Sequence, residues 1–367
     1  MGRPLITFDG VTKRFADGTV AVNDLTLEVE KGEVVVLVGP SGCGKTTTMR
    51  MVNRMLEPTS GTLSVDGQDV MRQDPPTLRR GIGYVIQQVG LFPHRTIAGN
   101  IATVPQLEGW DKRRIEERVS ELIETVGLPS SVADRYPHQL SGGQRQRVGV
   151  ARALATDPSV MLMDEPFGAV DPIVRARLQE EFLRLQREVL KTIVFVTHDI
   201  DEAITMGDRI AIFSQGGNLE QHATPRDILA DPANQFVADF LGEERGLKRL
   251  ALIAVSEVDA EPGPTVAPED TTERAEEVAR AHGTDWVVVV SADRRLEGWA
   301  SLHELHPGQP LANGPLRAFA LKVRAEDSLR AALNAMVTGH TGAAVRVSRD
   351  DRYEGIITQD LVSKEIR

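Results

Sequence analysis

The sequence predicts an α/β fold built as two domains of unequal size, and three observations carry this prediction. Short apolar runs rich in β-branched residues lead directly into glycine, acidic or histidine residues, which is typical of buried parallel strands with functional groups at their carboxyl ends. One of these runs leads through a glycine-rich loop into a helix. A nine-residue segment recurs in the last third of the chain, and 367 residues are too many for one ordinary domain.

The glycine-rich loop lies at residues 39–46, between a strand predicted over 33–38 and a helix. It fits the pattern G-x-x-x-x-G-K-[ST], in which backbone N–H groups cradle an anion, the lysine reaches the outer phosphates and the hydroxyl holds Mg²⁺. A glycine turn with a chance lysine is the alternative, which the flanking strand and helix disfavour. The sequence therefore predicts that a nucleoside triphosphate binds to Gly39, Pro40, Ser41, Gly42, Cys43, Gly44, Lys45, Thr46 and Thr47.

Composition limits the classes of protein to which the chain can belong. Its 41% hydrophobic residues can form sizeable cores, and its net charge of −11 argues against a nucleic-acid partner. The single cysteine, Cys43, excludes an internal disulfide and fits a reducing compartment. No apolar run approaches the roughly 18 residues of a membrane span, and the N-terminus lacks the apolar core of a signal peptide. We therefore expect the chain in the cytosol unless a partner holds it at a membrane.

Two further predicted strands end in residues that can act on a phosphate. The strand at 160–163 leads into Asp164 and Glu165, and the strand at 192–197 leads into His198. In an open α/β sheet, ligands gather at the carboxyl ends of strands. There Asp164 can join the Mg²⁺ shell, Glu165 can orient or deprotonate a water, and His198 can contact the γ-phosphate. Taken alone, each would more commonly be a solvated strand end or a structural histidine.

A second glycine-containing motif precedes a helix predicted over residues 145–154. A serine and two glycines at a helix N-terminus make another anion-binding end. One nucleotide needs only one such cradle, so the second makes sense if it completes the site of another copy of the chain. The residues of this motif are Leu140, Ser141, Gly142, Gly143 and Gln144.

With these motifs in this order, the chain resembles the ATP-binding subunit of an ABC transporter over about residues 1–243. The resemblance implies a P-loop NTPase core and a head-to-tail homodimer that sandwiches two ATP molecules, each also contacted by the partner's signature motif at 140–144. It makes residues 39–46 the Walker A motif and 160–165 the Walker B motif. It also implies roles for a Q-loop glutamine in catalysis and Mg²⁺ binding, a D-loop aspartate, a switch histidine and an adenine-stacking aromatic, namely Gln87, Asp171, His198 and Phe15.

The segment at 88–158 is predicted to be an inserted helical subdomain, because apolar residues recur at helical spacing within it. Its apolar loop at 89–94 is either local core or, as we favour, a dock for a partner helix. In the family this region meets a membrane subunit, and residues 206–242 resemble the end of an importer ATPase. The resemblance thus implies two integral-membrane permease subunits, an extracytoplasmic solute-binding protein, and a peripheral location on the cytoplasmic face of the plasma membrane.

The last third of the chain, residues 247–367, contains an internal duplication. Residues 290–298 recur as 347–355 with six of nine positions identical. Each copy reads as strand, polar turn and strand, and each follows a helix with a good capping residue at its start and a glycine, Gly283 or Gly339, at its end. Units of this size cannot bury a face alone, so the repeats at about 247–308 and 316–367 should pack as a pseudo-twofold pair.

This tail resembles a pair of CBS domains, which often bind adenine nucleotides between the repeats. In the family's Gly-x-x-Thr/Ser-x-x-Asp ending, the acid contacts a ribose; Glu304 stands at that spacing in the first repeat, whereas Asp360 comes one residue early in the second. An adenine mononucleotide or dinucleotide, ionic strength acting on the charged turns, and a ligand-free dimerising role all remain open.

An importer ATPase with a CBS pair resembles the subunit that serves glycine betaine, carnitine, choline or proline uptake. Two alternatives remain: an importer ATPase for another small solute, and a soluble ABC ATPase without a transport role. The second would typically carry two ATPase modules or a long coiled coil, and the sequence shows neither. A third interpretation, a nucleotide sensor dominated by its tail, conflicts with the full catalytic set.

Overall fold

The computed structural model describes residues 4–86, 90–168 and 172–366, of which 172–174 are described by their backbone alone. The chain divides into two compact units, one ending at Leu241 and the other beginning at Gly242. Gln87 of the expected Q-loop and Asp171 of the expected D-loop lie outside the described residues. None of the helices in the described ranges combines the length and apolar character that a bilayer span requires.

The strands of the first unit are β1 (Ile6–Arg14), β2 (Val20–Val29), β3 (Val34–Val38), β4 (Ser60–Val65), β5 (Gln68–Asp69), β6 (Ile82–Val85), β7 (Val160–Asp164), β8 (Thr192–Val196), β9 (Arg209–Ser214) and β10 (Asn218–Ala223). Its helices are α1 (Lys45–Val52), α2 (Pro75–Arg80), α3 (Ile97–Ile101), α4 (Thr103–Leu107), α5 (Lys112–Thr125), α6 (Gly142–Ala153), α7 (Pro172–Val189), α8 (Ile200–Met206), α9 (Pro225–Ala230) and α10 (Gln235–Leu241).

A six-stranded sheet in the order β10-β9-β3-β8-β7-β6 forms the centre of the first unit. All of its neighbouring strands run parallel except β9 and β10. Every side chain of β3, β7 and β8 is buried, which is why these strands read as unbroken apolar runs rather than alternating ones. Leu37 and Asp164 both pair with Val196. The carboxyl ends of β3, β7 and β8 therefore lie at one edge of the sheet.

An antiparallel sheet in the order β2-β1-β4-β5 shares a hydrophobic core with the central sheet. Phe8 and Leu25 from this sheet, Leu37 from β3 and Met49 from α1 are all buried in that core. This packing fixes the position of α1 relative to the strand that precedes the glycine-rich loop.

Helices α3 to α6 lie between β6 and β7 in sequence, in the segment expected to be helical. Asp111 caps α5 by accepting a hydrogen bond from the backbone N–H of Arg114 at 3.0 Å, and Val119, Leu122 and Ile123 form the buried face of that helix. Within α3, the buried Asn100 side chain accepts from the Phe92 N–H at 2.7 Å and donates to the Phe92 carbonyl at 3.1 Å. The backbone of Phe92 is thus tied to α3, while the Phe92 side chain remains 40% exposed.

The second unit contains α11 (Arg245–Leu250), β11 (Thr265–Val266), α12 (Thr272–His282), β12 (Trp286–Val290), β13 (Leu296–Ser301), β14 (Lys322–Val323), α13 (Leu329–Thr338), β15 (Ala344–Val347), β16 (Tyr353–Ile357) and α14 (Gln359–Ile366). It forms two three-stranded sheets with the same plan, β11-β12-β13 and β14-β15-β16. In each, the first pair of strands is parallel and the second antiparallel.

The two repeats share backbone details as well as strand order. Arg294 and Asp351 occupy equivalent turn positions, and both have left-handed φ values, of 66° and 56°. Gly298 and Gly355 are likewise equivalent, with φ of 153° and 139°. Residues from both sheets, among them Trp286 and Val345, form one buried cluster. The repeats therefore pack on each other as a pair.

Both tail helices begin at the predicted residues, but only α13 has a side-chain cap, because Thr271 makes no capping hydrogen bond, and the two helices end differently. Ser328 caps α13 by accepting from the Ala331 N–H at 3.3 Å, and α12 begins after Thr271. Gly283 ends α12 in the left-handed conformation, with φ of 66°. Helix α13 also ends at the predicted glycine, Gly339, but this residue has a φ of −85° rather than a left-handed conformation. A Cβ there would lie 2.8 Å from the Ala335 carbonyl oxygen, so lack of space requires this glycine.

The tail also allows a prediction about how tightly its repeats pack. Gly355→Ala should lower the free energy of unfolding by about 2–3 kcal/mol, because its Cβ would lie 2.7 Å from the Glu261 carbonyl oxygen at a φ that side chains rarely adopt. Gly308→Ala is the matched control: its φ is 76°, but no atom lies within 4 Å of the added Cβ, so about 1 kcal/mol is expected. Urea unfolding followed by tryptophan fluorescence compares the two, and equal losses would refute the packing argument.

Candidate functional site

The glycine-rich loop connects β3 to α1 by passing very close to neighbouring backbone. A Cβ on Gly39 would lie 2.2 Å from the Phe213 carbonyl oxygen, and one on Gly44 would lie 1.9 Å from the Ala21 carbonyl oxygen. Both glycines also have positive φ, of 152° and 97°. Only glycine fits these two positions, so the loop is fixed between β2 and β9 and its backbone shape is preset.

Lys45 lies inside the curve of this loop. Its side chain is buried, and its Nζ donates hydrogen bonds to the carbonyls of Gly39 at 2.7 Å and Pro40 at 2.9 Å. No side chain caps the N-terminus of α1, which begins at Lys45. The ammonium group and the first N–H groups of the helix thus face the same concavity, and this arrangement fits a phosphate chain. The Gln215 amide supports the loop from outside by donating to the Ser41 carbonyl at 3.0 Å.

Thr46 and Asp164 bring two oxygen atoms together beneath the loop. The Thr46 hydroxyl donates to Asp164 Oδ1 at 3.0 Å. Burial is the main cause that raises the pKa of the Asp164 carboxyl above its ordinary value, and the hydroxyl contact opposes that rise. Arg50 lies near the same carboxylate, with its guanidinium nitrogen 3.9 Å from Oδ2. A hydroxyl and a carboxylate are hard oxygen donors of the kind that Mg²⁺ selects, so these residues fit that ion.

Glu165 and His198 meet at the same edge of the sheet. His198 Nδ1 lies 3.2 Å from Glu165 Oε1, and the histidine side chain is 60% exposed. Glu165 has a left-handed backbone with φ of 44°, held by hydrogen bonds between its N–H and the Val196 carbonyl and between its carbonyl and the Gly168 N–H. Strand β7 ends at Asp164, and the left-handed turn follows directly at Glu165. Because consecutive residues of a strand point to opposite faces, the turn sets the direction of the Glu165 side chain independently of that of Asp164. Sequence reasoning found both residues but had no signal for the strained backbone.

A polar network behind His198 was not foreseen from the sequence. Asp199 caps α8 by accepting from the Asp201 N–H at 2.9 Å, and the neighbouring Thr197 is buried. Glu202 on α8 accepts from the Gln179 amide on α7 at 2.9 Å, and burial raises the pKa of Glu202. The hydrogen bond between Gln179 and Glu202 therefore joins α7 to α8, the helix that follows His198. Its only sequence signal is a pair of polar residues on otherwise apolar helix faces.

The second glycine motif forms a complete capping box at the start of α6. The Ser141 hydroxyl accepts from the Gln144 N–H at 3.2 Å, and Gln144 Oε1 accepts from the Ser141 N–H at 3.0 Å. Leu140 is buried beneath this end, whereas no atom lies within 4 Å of a Cβ placed on Gly142. In the described part of the chain, Gly142 and the half-buried Gly143 form an open helix end, and the motif makes its hydrogen bonds within its own segment.

Phe15 lies in the loop between β1 and β2 and is 39% exposed. Lys13 Nζ lies 5.4 Å from the centroid of its ring. An exposed ring on a tight loop, closed by a hydrogen bond from the Phe15 N–H to the Thr19 carbonyl at 2.9 Å, is available for stacking.

Taken together, the site can perform phosphoryl transfer to water. Lys45 and the start of α1 can hold phosphate oxygens, since the ammonium group and the uncapped helix N-terminus lie on the same loop. Glu165 can accept a proton from an attacking water, since it is a carboxylate beside an exposed imidazole at the edge where the phosphates lie. A bound Mg²⁺ supplies Lewis-acid stabilisation of the phosphate charge, and Thr46 and Asp164 are the described residues that would hold it.

Removing the buried charge of Asp164 should stabilise the nucleotide-free protein. The folded state raises the pKa of this carboxyl above 3.8, so at pH 7 folding carries a penalty that disappears as the pH falls through the folded pKa. Asp164→Asn should therefore raise the free energy of unfolding at pH 7 by about 0.5–1 kcal/mol. Urea unfolding monitored by circular dichroism measures this difference.

Asp74→Asn provides the control of opposite sign. The hydroxyl and N–H of Thr77 hydrogen-bond to the Asp74 carboxylate and lower its pKa, so its stabilising contribution is present above 3.8 and is lost as the pH falls through the lowered pKa. Asp74→Asn should not raise stability at pH 7. A loss of stability in Asp164→Asn, or an equal gain in both variants, would contradict the burial argument.

Comparison with known proteins agrees with this geometry. Residues 22–168 match the family model described as ABC transporter. The chain is 44% identical over 365 residues to the osmoprotectant import ATP-binding protein OsmV of Salmonella typhimurium, covering 98% of this chain and 95% of that protein. It is 47% identical over 310 residues to the glycine betaine/carnitine/choline transport ATP-binding protein OpuCA of Bacillus subtilis, covering 84% and 81%.

A solved structure is similar as well. It is a dimeric, post-hydrolysis state of an ATP-binding cassette with ADP and Pi, with a TM-score of 0.54 and 32% identity, covering 60% of this chain and 98% of that one. The predicted α/β fold of the P-loop ATPase type is thereby confirmed. The chain belongs to the ABC transporter family, in which it is an ATP-binding subunit whose ATPase activity is coupled to transport.

Proposed function

We propose that Glu165 is the general base of ATP hydrolysis and that His198 contacts the γ-phosphate. The 3.2 Å contact between Glu165 Oε1 and His198 Nδ1 supports this assignment, because it holds the carboxylate at the edge where Lys45 meets the phosphates. The imidazole orients the carboxylate and remains 60% exposed, so it is accessible to a γ-phosphate. The polar network between α7 and α8 acts as the support of His198.

The metal shell and the adenine contact extend this proposal. Asp164 and Thr46 bind Mg²⁺ through oxygen atoms already in hydrogen-bond contact, and Gln87 completes the shell and positions the attacking water. Phe15 stacks on adenine through its exposed ring face. Asp171 belongs to the D-loop, as its position in the motif order indicates.

The active form is proposed to be a head-to-tail homodimer. Gly142 is exposed with open space around it, and the end of α6 faces solvent although its serine is already used as a helix cap. An exposed, uncharged helix N-terminus is suited to a phosphate chain presented by a second copy. Ser141, Gly142 and Gly143 of one copy therefore contact the ATP held by Lys45 of the other.

The base and the dimer can be tested in one experiment. Glu165→Gln preserves the shape of the side chain but removes the proton acceptor, so turnover should fall about 10²–10⁴-fold while ATP still binds. Without hydrolysis, the ATP-bound dimer should accumulate, and static light scattering would show a doubled mass that depends on ATP. Adding Ser141→Arg to the same chain should abolish this dimer, because the arginine fills the open helix end.

Glu188→Gln, an exposed substitution on α7, is the matched control and should leave turnover unchanged. Near wild-type turnover by Glu165→Gln would remove this residue from the base role. A stable ATP-dependent dimer in the double variant would show that Ser141 does not serve the partner's nucleotide.

We infer that the chain powers uptake of glycine betaine or a related compatible solute. The similarity to OsmV carries this inference, because it extends over 98% of the chain and therefore includes the tail. A similarity limited to the ATPase core would be shared with importers of many other solutes. The proposed assembly has two integral-membrane permease subunits and an extracytoplasmic solute-binding protein, with this subunit on the cytoplasmic face of the membrane. Another small solute is the alternative, and uptake assays with labelled glycine betaine, choline and carnitine discriminate between them.

The tail is proposed to be a CBS pair that regulates transport. Arg317 forms an ion pair with Glu304 and lies over the Trp299 ring, 5.3 Å from its centroid. An adenine nucleotide whose ribose contacts Glu304 must therefore displace this arginine. At the hairpin turns, the backbones of Arg295 and Arg352 form an isolated antiparallel bridge between the two repeats. Directly opposite residues carry neighbouring side chains, so two like charges face each other. Salt screens such repulsion, which favours ionic strength as the signal.

Variants at these two places separate the signals in a reconstituted importer. Arg352→Gln removes the like-charge pair, so transport should be activated at lower salt than in the wild type. Arg349→Gln is the matched control, since this neighbouring exposed arginine pairs with Glu326 instead. If Glu304→Gln alone changes the response, and only to added adenine nucleotide, the tail senses a nucleotide. An unchanged response to salt and nucleotide in every variant would exclude both of these sites as the sensor.

A further inference from the structure

A cavity of about 260 Å³ lies in the first unit, away from the phosphate loop. Four segments line it: residues 125–127 at the end of α5, Phe167 in the turn after β7, one face of α6, and one face of α7. Its apolar wall consists of Val126, Val150, Phe167, Leu178, Phe182 and Leu185. Phe167 and Phe182 meet there edge to face, with ring centroids 6.3 Å apart. We call this space the α6–α7 cavity.

The rest of the cavity wall carries a surplus of positive charge. Arg147, Arg177 and Arg184 line it, against a single acid, Glu181. Glu181 is shared by two of the arginines, in ion pairs with Arg147 and, at 3.4 Å, with Arg177. Arg184 lies one turn further along α7 than these contacts and is exposed at the rim. An anion can therefore reach a guanidinium group that Glu181 does not neutralise.

The wall also contains two unused hydrogen-bond donors. Gln146 is 96% buried, and its Nε2 has no hydrogen-bond partner among the described residues; the same is true of Arg147 Nε. Buried donors without acceptors are unfavourable, and native proteins rarely leave them so. Since both residues line the cavity, an acceptor group bound at its inner end can satisfy them after a small side-chain rotation.

We propose that the α6–α7 cavity binds a small carboxylic acid with a hydrocarbon body of about the size of a benzyl group. The phenylalanine pair and the aliphatic residues receive the hydrocarbon, and the surplus arginines receive the carboxylate. The volume is below that of pockets for drug-sized molecules, which fits one ring and excludes a nucleotide.

This position gives the ligand a way to influence hydrolysis. Phe167 follows Glu165 by two residues and contacts Phe195 of β8, with ring centroids 6.0 Å apart. Val150 and Gln146 belong to α6, whose first residues form the signature motif. A ligand in the cavity thus contacts two segments: the turn that follows the proposed base Glu165, and the helix α6 that begins with the signature motif. The effect on turnover rests on the proposed function, whereas binding itself does not.

Phenylacetate is the probe, and isothermal titration calorimetry on the full chain without nucleotide measures its binding. With ten non-hydrogen atoms it should bind with a Kd on the order of 0.1–1 mM. Val150→Met extends a side chain into the cavity and should abolish binding. Arg184→Gln should weaken binding about two- to fivefold, because it removes one exposed charge. Arg187→Gln, an exposed arginine of α7 that does not line the cavity, is the matched control and should bind as the wild type does.

Each outcome decides the proposal. Saturable binding that Val150→Met removes and Arg184→Gln weakens supports it, and circular dichroism confirms that the variants are folded. If Val150→Met does not fold, Leu185→Phe fills the same space. Absence of saturable binding by the wild type, or binding unchanged in the filled variants, overturns the cavity as a site. Equal binding of phenethylamine, which has the same ring and a positive charge, overturns the assignment to acids. ATP turnover measured with and without phenylacetate then shows whether the occupied cavity affects hydrolysis. An unchanged turnover would contradict that effect but would leave the binding result intact.

Discussion

The close contact between the phosphate loop and the backbone of its neighbours is the constraint on which the rest of the site depends. Gly39 and Gly44 lie where any Cβ would collide with the carbonyls of Phe213 and Ala21. The loop is therefore fixed to two strands rather than supported by side chains alone, and α1 starts from a defined place. Parallel pairing of β3, β8 and β7 then brings Asp164 and His198 to the same edge. One backbone constraint and one sheet register thus assemble residues that are far apart in sequence.

In the absence of nucleotide, the residues of this site lower the stability of the folded protein, but their arrangement is suited to an anion. Lys45 is buried with backbone carbonyls as its hydrogen-bond partners, burial raises the pKa of Asp164, and Glu165 adopts a left-handed backbone. Each of these features has an energetic cost, of order 1–3 kcal/mol for a strained backbone. Phosphate oxygens would relieve the first cost, and a divalent cation bound to the Asp164 carboxylate would relieve the second. The site therefore gains more from its ligands than a relaxed site would, because the surrounding sheet supplies the rigidity in advance.

Much of this arrangement could be predicted from the sequence, and the remainder shows why prediction stops where it does. The apolar run at 33–38 becomes β3 almost unchanged, and the α/β class is confirmed, since buried parallel strands leave an unmistakable composition. The edge location of Asp164, Glu165 and His198 followed from strand ends alone. The left-handed turn at Glu165, the Glu202 network and the mechanism at Gly339 depend on contacts between segments distant in sequence. No local pattern records such contacts.

The second unit extends this lesson, because its duplication is kept by the backbone more strictly than by the side chains. Arg294 and Asp351 differ in charge but share a left-handed turn position, so the shape of the turn persisted while its chemistry diverged. The acid positions diverged in the same way: Glu304 is paired with Arg317, whereas the second repeat has Asp360 one residue earlier. Two acid positions on one backbone plan, with different spacing and different partners, cannot contact the same ligand equally. We infer that any ligand of this tail acts asymmetrically, through one repeat, while the other preserves the packing of the pair.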